Sequence, residues 1–380
     1  MKERDKIHEK NQKNILQSGP PEAGLTKKLT DISHSYNFSF GALLILAIGV
    51  LSVIFLIFLL SEAPLKTLYY FFIGPFKNLF TLGNMLNASV PLIFGALAVI
   101  VAMKTGNLNL GGEGQIYLSA FITLITALSF SKPAFLGAVI SVIAGSLCAG
   151  VLAAFSGFCK AKWNTSEVIT TFLLSCAVIP VVNYLVTVPF LDPQTSLFST
   201  KKIAENLRLT LILKPSNLST ALFIALIFVF IVHFFLFKTK MGYEFRMTGY
   251  NEMFSRYGGI NTKLNSIIAL GLSGFLYGLA GSVSVLGTHY AVIKEFSAGL
   301  GWSGLTVALI ACFSPAAVIP CALFIAWINA GARLAMQNTG LTFEIAYIVQ
   351  AVIFFLSTSL AIKSGITKTQ LMRKGKVKWK

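Results

Sequence analysis

The sequence predicts an all-α integral membrane protein, a polytopic helical bundle of about ten spans with broken or half-helices, on three observations. The 380 residues are 55% hydrophobic and only 12% charged, against roughly 25% charged in an ordinary soluble domain. Mean hydropathy is +0.74. Apolar runs of bilayer-crossing length, roughly 20 residues each, recur from residue 41 to residue 362. Each run is expected to be helical, because a backbone in hydrocarbon must satisfy its N–H and C=O groups internally.

Residues 1–40 are charged, rich in Asn and Gln, and broken by Gly19-Pro20-Pro21, which reads as a flexible cytoplasmic arm. No small-residue cleavage site follows the first span, Gly41–Leu60, so it is expected to be an anchor. Further spans are expected near Leu86–Met103, Gly114–Phe130, Ala134–Phe158, Val168–Phe190 and Leu218–Phe237. Three or four more apolar segments follow, near Leu264–His289, Leu300–Phe313, Ala316–Met336 and Phe343–Ile362. The Leu300–Phe313 piece is too short to span unaided; either it is a half-helix or its Gly-rich approach extends it. The transmembrane domain thus covers 41–362, and residues 363–380 form a basic tail with no acid.

Lysine and arginine placement sets the orientation. With ten spans both termini share one side, which carries 22 of the 31 basic residues, against eight on the other. Both termini are therefore expected in the cytoplasm, with Leu191–Asn217 outside and Lys238–Lys263 inside. The tail suits an anionic cytoplasmic leaflet.

Some functions are excluded at this level. The net charge of +17 lies at the termini and in loops, without the basic patches interleaved with aromatics that nucleic acid requires. The five cysteines show no CxxC pair or metal-ligand spacing, and read as small buried hydrophobes. There is no Walker lysine loop, no helical HExxH and no repeated carboxylate pair. No catalytic, metal or cofactor site is expected on this chain, and ATP with Mg, if used, belongs to another subunit.

Two polar interruptions carry the chemistry. In Met103–Tyr117, MKTGNLNLGGEGQIY, the residues Asn107, Asn109, Glu113 and Gln115 sit among four glycines between two apolar helices. Dense glycine disfavours a continuous helix, and polar groups at membrane depth usually mark a pathway. The bland alternative is a cytoplasmic turn with Glu113 capping the following helix. In residues 241–261, Met247, Tyr250, Phe254 and Tyr257 recur at helical spacing, with Thr248 as the expected N-cap and Gly258-Gly259 as the stop. That stripe either lies on the bilayer or inserts into a groove on a cytoplasmic partner. A third segment, Ala298–Pro315, weakly echoes the first: glycines and Trp302 precede a short apolar helix. Arg333, Gln337 and Glu344 read as snorkelled span-end residues, and His233 and His289 as interfacial ones.

Three strings carry a family resemblance. NASVPLIFGALAVIVAMKTGNLNLGGEGQIYLSAF resembles the signature of importer permeases of the ribose and branched-chain amino acid type. Its Asn before Gly-Gly-Glu-Gly-Gln is most similar to the branch paired with purine-nucleoside-binding lipoproteins. FRMTGYNEMFSRYGGIN resembles that family's cytoplasmic coupling helix, departing at Met253-Phe254-Ser255, where small alanines are common. GWSGLTVALIACFSP matches its later Gly-rich segment, and the resemblance spans residues 40–365. It implies a bacterial inner-membrane permease subunit that moves a nucleoside, or a simple sugar, inward. It also implies a second permease subunit, a cytoplasmic ATP-binding subunit and an external substrate-binding lipoprotein. By the same resemblance Asn87 joins the pathway residues, and Arg246, Gly249, Asn251 and Arg256 join the coupling residues. The rival from the residues themselves is an ion-coupled secondary transporter using Glu113 or Glu344.

Overall fold

The computed structural model describes residues 38–129 and 134–339, with residues 344, 347, 348, 350–352, 354 and 355. Residues 1–37 of the arm, the tail and most of the expected span at Phe343–Ile362 lie outside the described residues, and the arm's last three residues already belong to the first helix. Elsewhere every expected span is a helix. The first is α1 (Phe38–Leu60), and the short α2 (Pro64–Phe72), opened by Pro64 in its first turn, was not foreseen. Then come α3 (Leu79–Lys104), α4 (Gly112–Ser129), α5 (Ala134–Trp163) and α6 (Glu167–Thr187). A small antiparallel ladder, β1 (Leu211–Leu213) with β2 (Leu218–Ser219), interrupts the helices.

The second half contains α7 (Ala221–Lys238), α8 (Lys240–Tyr250), α9 (Glu252–Tyr257), α10 (Thr262–Ser284), α11 (Leu300–Ile310) and α12 (Val318–Thr339). α3 starts seven residues before the expected boundary because Asn78 caps it, its Oδ1 accepting from the Thr81 N–H at 2.8 Å. α11 settles the open question about 300–313. Its 11 residues reach only about 16 Å, a half-helix.

Burial separates central from peripheral spans. The apolar window of α3 is 83% buried and that of α10 with the turn after it 72%, whereas α6 reaches only 17% and α7 28%. α3 and α10 are therefore the core, and the outer helices turn apolar faces toward lipid. The closest packing in this core uses small residues, which let backbones approach where burial alone provides little drive. A Cβ on Gly274 would lie 2.5 Å from Ala149 O, and one on Gly278 would lie 2.6 Å from Ser146 Cα. Gly278→Leu is accordingly expected to stop α5 and α10 from docking. The check is the yield of monodisperse protein by size exclusion, which should fall severely, since backbone atoms cannot yield as a rotamer would.

The loops divide between two ends. At the basic end, Lys160 Nζ donates to Asn107 Oδ1 at 2.6 Å and pairs with Glu167 at 3.0 Å, while Gly249 abuts Lys104 and Gly106. At the far end, Asn84 Oδ1 accepts from Asn217 N at 2.9 Å, and residues 198–209 hydrogen-bond to 286–294. This partition matches the two sides assigned from lysine and arginine counts.

Candidate functional site

The glycine-dense break is inside the bundle, not a surface turn. After α3 ends at Lys104 the chain turns back through Gly106 (φ +76°) and climbs among its neighbours before α4 begins. The Gly114 N–H donates to Ser175 Oγ at 2.7 Å, eight residues into α6, so α4 starts about 12 Å in from the basic end. Glycine is required there. A Cβ on Gly112 would meet the Tyr277 ring at 2.6 Å, and one on Gly114 the Ser175 backbone at 2.7 Å.

The polar residues of the break divide into two sets. Asn109 and Gln115 form a closed amide pair: Asn109 Nδ2 donates to Gln115 Oε1 (2.9 Å) and Gln115 Nε2 to Asn109 Oδ1 (3.1 Å). Asn109 also reaches Ser273 Oγ at 3.0 Å and accepts from Gly111 N at 2.9 Å. Both side chains are buried; in the segment that precedes α4, Asn109 takes up the Gly111 N–H and Thr171 Oγ1 accepts from Leu110 N at 3.2 Å. Asn107 lies apart, fully buried between Thr105 Oγ1 (2.7 Å) and Lys160 Nζ (2.6 Å). Asn87 is remote from both, donating to Thr288 Oγ1 at 2.9 Å in the far half.

Glu113 does something the sequence did not suggest. It sits in the first turn of α4, but its carboxylate reaches across to the start of α11. Oε1 accepts from Gly301 N at 2.8 Å, and the N–H groups of Gly299 and Trp302 and the Ser297 hydroxyl also face the carboxylate. Two helix N-termini thus converge on one anion inside the protein, the arrangement that the helix dipole favours. A narrow crevice beside it is lined by Asn109, Leu110, Tyr277 and Leu305, among others.

One turn along α4, Tyr117 extends the same seam. Its hydroxyl donates to Asn183 Oδ1 (2.7 Å) and accepts from Glu295 N (3.2 Å), while its ring packs on Phe296. Residues 295–302 are therefore pinned to α4 at two points. Along this segment Glu295 and Ala298 hold positive φ (59° and 25°), as does Gly299 (87°). Non-glycine residues persist there only when surroundings over-determine them, typically at functional segments. Tyr117 stands four residues from Glu113, so helical periodicity alone would have placed both on one face.

The coupling segment differs from expectation in its caps. Thr248 is not an N-cap: it lies late in α8, and its hydroxyl back-bonds to Glu244 O at 2.8 Å. The caps are Thr239 for α8 and Asn251 for α9, accepting from Gly242 N (3.1 Å) and Phe254 N (3.0 Å). The expected single helix is two helices, because Asn251 adopts extended backbone between them. The glycine stop stands: α9 ends at Tyr257, with Gly259 at φ +81°. Gly249, Tyr250, Asn251, Phe254, Arg256 and Tyr257 are exposed, Tyr257 by 87%, and Met247 is half-buried in a groove with Tyr243 and Phe254. Arg256 pairs with Glu252 (2.6 Å) and donates to Thr262 Oγ1 (2.9 Å), tying α9 to α10. Arg246 turns back instead, its guanidinium over the Phe237 ring.

Comparison with known proteins fits this architecture. Residues 81–358 match the family described as branched-chain amino acid transport system / permease component. The chain is 33% identical over 317 residues to the probable riboflavin import permease RfuC of Treponema pallidum, covering 82% of each chain. It is 29% identical to the guanosine ABC transporter permease NupP of Bacillus subtilis, over 80% of this chain and 87% of that one. It is also 29% identical to the nucleoside ABC transporter permease NupB of Lactococcus lactis, over 90% and 93%. No solved structure matches the chain significantly. A helical membrane bundle with a broken span and a match over most of its length, the chain belongs to the family of branched-chain amino acid transport system permease components.

Proposed function

We propose that this chain is the membrane-spanning subunit of an ATP-driven importer that carries a nucleoside inward across the bacterial cytoplasmic membrane, both termini facing the cytoplasm. The observation that carries the mechanism is a backbone contact. Gly249, in the exposed coupling segment, packs against the Lys104–Gly106 turn that opens the buried break. A force applied to α8 and α9 therefore reaches α4, Glu113 and the start of α11 through packed backbone. The exposed stripe Tyr250, Phe254 and Tyr257 is the surface offered to the cytoplasmic ATP-binding subunit, which holds ATP and Mg; this chain binds no cofactor itself. The nucleoside reading is supported by the relatives, which are named for guanosine, nucleosides and riboflavin, each a planar nitrogen heterocycle on a hydroxylated sugar or chain. A relative named for glucose keeps a simple sugar as the second class. An external substrate-binding lipoprotein would deliver substrate to the far end, around 191–217, and a second permease subunit would complete the pore.

The ion-coupled reading is not favoured. Glu113 is engaged by donors of its own chain, and Glu344 is exposed. The test is guanosine uptake into proteoliposomes holding this chain with its ATPase, permease and binding-protein partners. Uptake should require ATP and no ion gradient; uptake driven by a gradient without ATP would overturn the assignment. For the coupling surface, changing Tyr250 and Phe254 together to Ala should leave insertion intact and reduce ATP-dependent uptake at least about tenfold, equivalent to about 1.4 kcal/mol of coupling. Undiminished uptake with the ATPase still retained in a pull-down would mean that the helices merely lie on the bilayer.

A further inference from the structure

At the basic end, two cations share one aromatic ring. Lys104 Nζ lies 5.9 Å from the Phe237 ring centroid and the Arg246 guanidinium 5.2 Å from it. Among the described residues neither has a carboxylate partner. The ion pairs among the described residues are Lys160–Glu167, Arg208–Glu205 and Arg256–Glu252. Arg246 Nε is moreover buried and accepted by nothing, which is costly for a charged donor. Like charges held this close repel, so an anion beside both would be strongly favoured.

The surface leading to this point is apolar and exposed. On α7, Phe223, Ile227, Phe230, Phe234 and Phe237 follow at intervals of four, three, four and three, one continuous helical face. All five are exposed, Phe230 by 69% and Phe237 by 37%. α7 is about 27 Å long, close to the hydrocarbon thickness, which puts Phe237 and the two cations at headgroup level. A stripe for acyl chains that ends in two unpaired cations has the chemistry of a lipid with an anionic head.

We propose that Lys104 and Arg246 bind the phosphate of an anionic phospholipid, with its acyl chains lying along the exposed face of α7. Bound there, the headgroup bridges the end of α3 to α8 and steadies the Lys104–Gly249 contact. The leaflet is the inner one if the orientation proposed above holds; the binding itself does not depend on that orientation or on the transported substrate.

The experiment uses the full chain purified in detergent, with lipid retention read by native mass spectrometry and thermal stability read by intrinsic fluorescence. Phosphatidylglycerol should be retained and should raise the melting temperature, whereas phosphatidylcholine and inorganic phosphate should do neither. The double variant Lys104→Gln, Arg246→Gln should bind phosphatidylglycerol at least tenfold more weakly, and the charge-keeping pair Lys104→Arg, Arg246→Lys should restore it, which separates lost charge from a misfolded variant. Equal retention of phosphatidylglycerol by wild type and the Gln pair would overturn the site. So would stabilisation by inorganic phosphate alone, which would mark a free-anion site. Failure of the Gln pair to capture the ATPase, with lipid retention unchanged, would assign the two cations to a partner carboxylate instead and also overturn the proposal.

Discussion

Replacing Glu113 by Ala is expected to lower both the melting temperature and the transport rate per folded molecule. The carboxylate is the acceptor for Gly301 N at 2.8 Å and faces the N–H groups of Gly299 and Trp302 and the Ser297 hydroxyl. Removing it leaves the start of α11 with half-buried donors and no anion. Each unsatisfied donor costs about 1–3 kcal/mol when water cannot replace the partner, and the terms do not add fully. A total of about 3 kcal/mol is the expected scale. Gln is not a neutral control here. It keeps one acceptor oxygen, but its amide hydrogens must face the N–H groups of α11, so Glu113→Gln should fall between wild type and Ala. The two readouts separate the roles. If Glu113 only fastens α11, stability should fall while the rate per folded molecule holds. If fastening and releasing residues 295–302 is part of the transport cycle, the rate should fall with Gln at nearly unchanged yield. Guanosine uptake normalised to folded protein, together with detergent melting curves, decides; no effect of Ala on either would dismiss the residue.

The sequence exposes much of this and hides what depends on distant residues. Hydropathy located the spans because apolar runs are a local property, and the glycine density at 106–114 announced a broken helix for the same reason. The far-end and basic-end partition was legible because lysine and arginine placement follows topology. Depth was not legible. Nothing in MKTGNLNLGGEGQIY says whether the segment lies at the surface or beside Ser175 and Tyr277, since that depends on residues some 60 and 160 positions away. The partner of Glu113 was hidden likewise. A carboxylate in the first turn of a helix reads locally as that helix's own cap, and only the tertiary arrangement brings the N-terminus of α11 to it. Thr248 failed as a cap for a related reason: the helix had already begun at Lys240, where Lys, Met and Gly give little apolar signal.

Gly249→Val is expected to disconnect ATP hydrolysis from uptake while leaving the bundle assembled. A Cβ at this position would lie 2.4 Å from Lys104 O and 3.0 Å from Gly106 N, both backbone atoms. Neither can rotate away, and ordinary carbon–oxygen contact is about 1 Å longer, so α8 must lift from the α3 turn. The fold should survive, because α8 keeps the buried Phe245 against the α7 end and its own Thr239 cap. What is lost is a tight backbone contact between the proposed ATPase-facing surface and the break that leads to Glu113. Overpacking of this kind typically costs about 1–3 kcal/mol, enough to shift the equilibrium between two transporter conformations by tenfold or more. The measurement is paired: ATPase turnover in proteoliposomes with and without substrate, and guanosine uptake in the same vesicles. Turnover should persist without its stimulation by substrate, and uptake should fall at least about tenfold. Normal uptake with Val in place would show that force reaches α4 by another route, most directly through α9 and the Arg256–Thr262 link to α10.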